Sequence, residues 1–235
     1  AAAQRTRAEA SGYTATSSYA DVVAFLDSLQ AKAPGAWLRG TYGTTTQGKA
    51  MPYVVVSRPL VRTPAEAKRS GKPVVFLQGN IHGGEVEGKE AVQALLRDLM
   101  LDPRPNALDS IVLVAVPIYN ADGNDTWGPQ ARNRGEQDGP ETGGQRASLE
   151  MFRAWDPDVF VDLHTTDGSY HGYALTYSPS LHPAAMDGAL APAGPWTRDT
   201  LLPELRRRVR DKRGFETFDY GNFMGWENGR EDPAT

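Results

Sequence analysis

The sequence predicts an α/β sandwich with a mainly parallel or mixed sheet, on three observations. Apolar, β-branched runs alternate along the chain with segments of helical periodicity. The run over 111–116 contains no polar residue, the pattern of a strand buried on both faces. A second run, 74–78, ends in a glycine-rich turn, Gly79-Asn80-Ile81-His82-Gly83-Gly84-Glu85-Val86-Glu87-Gly88. A helical pattern follows it, with Ala91, Val92, Leu95, Leu96 and Leu99 on one face. Polar residues in such a turn stand at the carboxyl end of a strand, where open α/β sheets place their chemistry.

The elements follow in order. Residues 1–17 are small and polar and are expected to lie across the surface. Ser17 or Ser18 caps a helix over 19–31, whose apolar face is Val22, Val23, Phe25, Leu26 and Leu29. Pro34-Gly35 ends it. Strands over 37–42 and 51–57 flank a glycine-containing turn, as in a hairpin. A polar connection over 59–72 leads to the strand over 74–78 and the helix over 91–100. After the strand at 111–116 comes the turn-rich Pro117-Ile118-Tyr119-Asn120-Ala121-Asp122-Gly123-Asn124. The polar, glycine-rich stretch 125–145 reads as a long loop, a kind of segment that often carries function. A short helix over 147–155, a buried strand over 159–164, a strand over 173–177, a loop over 179–196 and a charged helix over 197–210 complete the pattern. The tail from 214 shows neither helix nor strand, and Arg206-Arg207-Arg208 reads as a solvated face.

Composition narrows the chemistry. The 235 residues, 40% hydrophobic and 23% charged, suffice for a large domain with a substantial core. A net charge of −4 argues against nucleic-acid binding, and no apolar run is long enough to span a membrane. The absence of cysteine excludes disulfides, thiolate catalysis and cysteine metal ligands, so any metal here takes His, Asp or Glu. The start Ala1-Ala2-Ala3-Gln4 fits a mature chain after signal removal and equally a truncation; the expected location is secreted or periplasmic.

A hydrolytic zinc site needs three protein ligands and an open position for water. His82 and Glu85, three residues apart on a tight turn, can face one point, and the glycines between them let the backbone wrap closely. His164, at the end of the apolar strand over 159–163, is the candidate third ligand. Asp162 points to the same side of that strand and is the candidate acceptor that orients an imidazole. The competing reading is a phosphate-binding loop, since Gly83 to Lys89 satisfies G-x-x-x-x-G-K between a strand and a helix. Against it, Glu90 stands where Ser or Thr would hold magnesium, and Glu85 and Glu87 would repel phosphate.

Three blocks together resemble the zinc carboxypeptidases of the carboxypeptidase A type: Gly79-Asn80-Ile81-His82-Gly83-Gly84-Glu85, Pro117-Ile118-Tyr119-Asn120-Ala121-Asp122-Gly123 and Val161-Asp162-Leu163-His164. Their order and their placement after strands also match, the segment through Pro59 is similar to the family's lead-in, and the resemblance covers most of the chain. It implies a three-layer α/β/α sandwich with a mixed, largely parallel central sheet, and a single catalytic domain over 1–235. It also implies one zinc ion held by His82, Glu85 and His164, and hydrolysis of the C-terminal peptide bond of a peptide by a metal-activated water. In this family an arginine in the loop after the Asn-x-Asp-Gly segment stabilises the oxyanion. Arg134 and Arg132 lie in the matching loop, with Arg134 slightly favoured, and Asn133 and Tyr170 are the candidates for substrate contact. Related hydrolases of the same fold cleave cell-wall peptides or N-acyl amino acids. A zinc-binding protein without peptidase activity is a further alternative.

Two departures from the family pattern stand out. The Asp-x-Asn-Arg segment, whose Asn-Arg pair binds the substrate's terminal carboxylate, is not found between the loop and the strand carrying His164; Asn133-Arg134 imitates the pair but comes too early. The general-base glutamate, in a Ser-Glu-Ala-like context on a late strand, is not reached by Thr235, and Glu216, Glu227 and Glu231 stand in other contexts. The expectation is an omission near Gly144–Ser148 and a missing C-terminal portion. His171 and His182 are expected at the surface.

Overall fold

The computed structural model describes residues 4–126, 143–165, 172–180 and 193–220, in two units, Ala1–Thr165 and Thr166–Thr235. In the first unit, α1 (Arg7–Ala10) and α2 (Tyr19–Lys32) open the chain. Ser18 rather than Ser17 caps α2: its hydroxyl accepts from the Asp21 amide while the Asp21 carboxylate accepts from the Ser18 amide. The helix buries Val22, Phe25, Leu26 and Leu29, each worth about 1.5–3 kcal/mol relative to exposure.

The N-terminal segment does not simply lie across the surface. Gln4, Thr6, Ala8 and Ser17 are buried. The Gln4 amide donates to the Phe25 carbonyl at 2.7 Å, and the Ser17 amide donates to the Glu90 carboxylate at 2.6 Å. Polar residues are held here because each finds a hydrogen-bonding partner on a helix beneath.

A hairpin of β1 (Trp37–Thr44) and β2 (Ala50–Val56) follows, antiparallel and closed at the Thr45–Lys49 turn. The expected polar connection contains a helix, α3 (Pro64–Ser70). Its signals are local ones: Thr63 caps it, Pro64 fills its first turn, and Gly71 ends it at φ 68°. The remaining elements of this unit are β3 (Val74–Gly79), α4 (Glu87–Leu101), β4 (Val112–Val116), α5 (Ala121–Asn124), α6 (Gly143–Trp155) and β5 (Val159–Leu163).

The sheet order is β1-β2-β4-β3-β5. β2 pairs antiparallel with β1 and β4, and β3 pairs parallel with β4 and β5, so the sheet is mixed. All five residues of β4 are buried, as an unbroken apolar run at the sheet centre requires. Side chains alternate between two cores. Leu77, Leu113 and Ala115 pack with α2 and α4 on one face; Phe76, Val112, Val114 and Val116 pack with α3 and α6 on the other. The result is the three-layer α/β/α sandwich.

Three local expectations change. α4 begins one turn before Ala91, because its first turn is charged and invisible to apolar periodicity. Among the described residues β5 lies at the edge of the sheet and is not buried, with Phe160 48% and Val161 36% exposed. α6 starts at Gly143, four residues before the helix expected over 147–155, because its first turn is glycine and polar residues without an apolar period.

In the second unit, β6 (Leu175–Tyr177) pairs parallel with β7 (Thr217–Asp219), a strand in what was expected to be a structureless tail. A short α7 (Ala193–Trp196) and a π-turn (Thr197–Leu201) precede α8 (Leu202–Arg213). Arg207 and Arg208 lie on a solvated face paired with Glu204, whereas Arg206 packs over the Tyr177 and Phe218 rings. No described helix is long and apolar enough to cross a membrane.

Candidate metal centre

β3 and β5 run parallel with Gly79 opposite Leu163, so both chains leave the sheet at the same end. The β3 exit carries His82 and Glu85; the β5 exit carries His164. Bringing them together requires α4 to start almost against the sheet. A Cβ on Gly88, in the first turn of α4, would stand 2.8 Å from the Leu163 Cβ. Gly83, between the two candidate ligands, lies against Gly123, and a Cβ there would meet the Gly123 carbonyl carbon at 2.4 Å. The glycines of the turn are therefore points of backbone contact.

The exit of β4 holds the turn from the other side. The Tyr119 amide donates to the Gly79 carbonyl at 3.0 Å, and the Asn120 side chain donates to the Ile81 carbonyl at 3.1 Å.

One ligand atom each from His82, Glu85 and His164 lies within 4.8 Å of the other two, and among the described residues no other group of His, Asp or Glu converges in this way. Glu85 is buried, His82 half-buried and His164 exposed. The ring centroids of the two histidines are 4.9 Å apart. Glu85 Oε2 lies 3.0 Å from His164 Nδ1 and accepts from the Thr165 amide at 3.0 Å. The Thr165 hydroxyl bonds the Glu87 carboxylate. On the far side of the ring, His164 Nε2 lies 2.8 Å from Asp162 Oδ2, and Gln78 Nε2 donates to Asp162 Oδ1 at 3.2 Å.

Each nitrogen of His164 thus faces a carboxylate, and the imidazolium form satisfies both. The hydrogen bond to Asp162 raises the His164 pKa above its ordinary value; burial opposes this, and the charges of Asp162 and Glu85 add to it. The donor set fits a zinc ion: two imidazole nitrogens and one carboxylate oxygen, with Nδ1 of one imidazole aimed at the carboxylate and its Nε2 held by a second carboxylate.

The phosphate-loop alternative does not survive. The Lys89 amine is wholly buried and bonds the Ser17 carbonyl and the Asn124 side-chain oxygen, so it faces away from any phosphate at the turn.

A family model described as zinc carboxypeptidase matches residues 22–174. The chain belongs to the zinc carboxypeptidase family. Among curated relatives it resembles Carboxypeptidase 2 of Trichophyton tonsurans and of Trichophyton equinum, each 34% identical over 79 residues. That alignment spans 33% of this chain and 14% of each relative. Among solved structures the fold resembles a metallo-carboxypeptidase from Burkholderia cenocepacia, with TM-score 0.64 and 18% identity over 88% of this chain and 54% of that one. It also resembles the carboxypeptidase A from Helicoverpa armigera, with TM-score 0.59 and 15% identity over 87% of this chain and 57% of that one. The chain spans just over half the length of these two structures.

Within this family member, the structure brings His82, Glu85, His164 and Asp162 to one place. Arg132, Asn133, Arg134 and Tyr170 lie outside the described residues, as do His171 and His182. The sequence reading singles out neither Gln78 nor Thr165. For Gln78 a signal existed: it is a polar residue closing an otherwise apolar strand. Thr165 offered none beyond following His164.

Proposed function

We propose that this chain carries the metal centre of a zinc-dependent metallocarboxypeptidase that hydrolyses the C-terminal peptide bond of peptides. The observation that carries the reading is the convergence of two imidazoles and one carboxylate from the ends of two parallel strands, with their ligand atoms within 4.8 Å of one another. His82, Glu85 and His164 would hold one zinc ion, and Asp162 would fix the ring of His164 through Nε2. Bound there, zinc supplies Lewis-acid polarisation of a carbonyl and activation of a water. The Thr165 amide donates to Glu85 Oε2 and so orients this side chain. By resemblance to the family, Arg134 or Arg132 would stabilise the oxyanion; Asn133 and Tyr170 are candidates for substrate contact. We take both units as parts of one catalytic domain.

The test is hydrolysis by the full-length protein supplied with zinc. The expected result is release of the last residue from a peptide with a free C-terminus, abolished by a chelator and restored by zinc. Cleavage of N-acyl amino acids or cell-wall peptides with no release from ordinary peptides would replace this reading with an amidohydrolase. Stoichiometric zinc without hydrolysis of any of these would leave a zinc-binding protein.

A further inference from the structure

Asn80 is the first residue beyond β3 and has a left-handed backbone, φ 64°, which a residue with a side chain rarely adopts and Asn tolerates best. Its side chain is wholly buried beneath the turn that carries His82 and Glu85. Its one amide nitrogen faces three carbonyls of that turn: His82 at 3.1 Å, Gly83 at 3.3 Å and Glu85 at 3.1 Å. Its backbone carbonyl accepts from the Asn120 amide at 3.0 Å, which ties the arrangement to the exit of β4. Its side-chain oxygen is buried and has no hydrogen-bond partner among the described residues. Reversing the amide would set that oxygen against three carbonyls, so the donors decide the orientation.

A residue with a rare backbone conformation and an orphaned buried acceptor is a poor choice for stability alone. What it does supply is a donor shared among the carbonyls of both candidate ligands and of Gly83, one of the two glycines between them. We infer that Asn80 is a positioning residue whose side chain holds the His82–Glu85 turn in the shape that aims both ligands at one metal ion. The inference rests on the proposed metal centre. Asn80 touches no substrate and acts only through the loop.

Side-chain chemistry separates this role from a structural one. Asn80→Gly keeps the backbone conformation accessible and also removes the orphaned oxygen, but it takes away all three contacts. Asn80→Asp keeps the shape and puts a carboxylate where the donors were. Leu29→Ala empties a wholly buried site in the core beneath α2, with no part in the loop.

The experiment measures zinc affinity of the full-length protein by competition with a chromophoric chelator, the visible spectrum of the cobalt(II) form, and thermal unfolding without metal. Asn80→Gly is expected to weaken zinc binding about tenfold or more and to change the cobalt spectrum, and Asn80→Asp to weaken it further. Leu29→Ala, at an equal or larger loss of thermal stability, is expected to keep zinc affinity within about twofold. Wild-type zinc affinity and cobalt spectrum in Asn80→Gly would overturn the inference, as would parallel loss of affinity in Leu29→Ala. His82→Ala is the arm that tests the underlying reading. If it binds zinc like wild type, the metal centre falls and this inference with it; if it loses zinc while Asn80→Gly does not, only the role of Asn80 falls.

Discussion

His82 and His164 leave the ends of different strands and stand with ring centroids 4.9 Å apart, tilted by 56°. Nothing local in the chain brings them together. The pairing does so through the sheet: β3 and β5 run parallel in a register that sets Gly79 opposite Leu163, and both exits open on the same end. Two imidazoles and the buried Glu85 carboxylate, with one donor atom of each within 4.8 Å of the others, form a set whose chemistry fits a divalent cation.

If this is a three-ligand zinc site, removing any one ligand leaves a pair that binds weakly. His82→Ala and His164→Ala are each expected to lose stoichiometric zinc after dialysis, measured by atomic absorption. Equal zinc content in wild type and either variant would remove that residue from the site.

Asp162 acts at one remove. Its carboxylate bonds His164 Nε2 at 2.8 Å and accepts from Gln78 at 3.2 Å, so it fixes both the tautomer and the plane of the ring. Asp162→Asn preserves shape but removes the charge that favours an N–H at Nε2. Zinc affinity is expected to fall about 10–100-fold. Chelator competition measures it, and an unchanged dissociation constant would make Asp162 a bystander.

Gly83 marks where the turn touches the rest of the molecule. A Cβ there would lie 2.4 Å from the Gly123 carbonyl carbon and 2.7 Å from its oxygen, both backbone atoms that have no rotamer to yield. Gly83→Ala is therefore expected to destabilise the fold by about 1–3 kcal/mol in denaturant titrations and to displace the turn. Gly172→Ala is the control: among the described residues its Cβ meets nothing within 4 Å, so the change should stay within about 0.5 kcal/mol. A Gly83→Ala protein as stable as wild type would show that the two turns separate freely.

The parts of this fold legible in the chain are those where one period dominates. β4 reads as a buried strand because its apolar residues are uninterrupted, and α2 reads as a helix because its apolar face and serine cap agree. α3 was hidden by its polarity, although Thr63, Pro64 and Gly71 mark its ends. The first turn of α4 was hidden for the same reason, with Lys89 buried among hydrogen-bond partners rather than apolar ones. The candidate ligands were legible because histidines and a glutamate at strand ends are few. Gln78 was marked by its polarity at the end of an apolar run, but its partner Asp162 follows only from the β3–β5 register, and Thr165 carried no signal of its own. β5 misled because apolar composition does not tell an edge from a centre.

Lys89 gives a pH signature unrelated to the metal. Burial lowers its pKa from 10.5 to about 8, with nearby carboxylates, Glu90 foremost, opposing the shift. The folded state therefore binds fewer protons than the unfolded chain between those values, and stability rises with pH across that window. At about 1.36 kcal/mol per pKa unit the rise is up to roughly 3 kcal/mol. Lys89→Met removes the titrating group and the Lys89 donor to the Asn124 side-chain oxygen, and leaves the Ser17 carbonyl with its bond from Asn124 Nδ2. The variant is expected to be less stable than wild type by about 1–3 kcal/mol at neutral pH. The gap should widen between pH 8 and 10.5. Urea titrations of both proteins across that range measure it. A gap independent of pH would show that the Lys89 amine keeps its ordinary pKa despite burial, with its hydrogen bonds to Ser17 and Asn124 offsetting the loss of water.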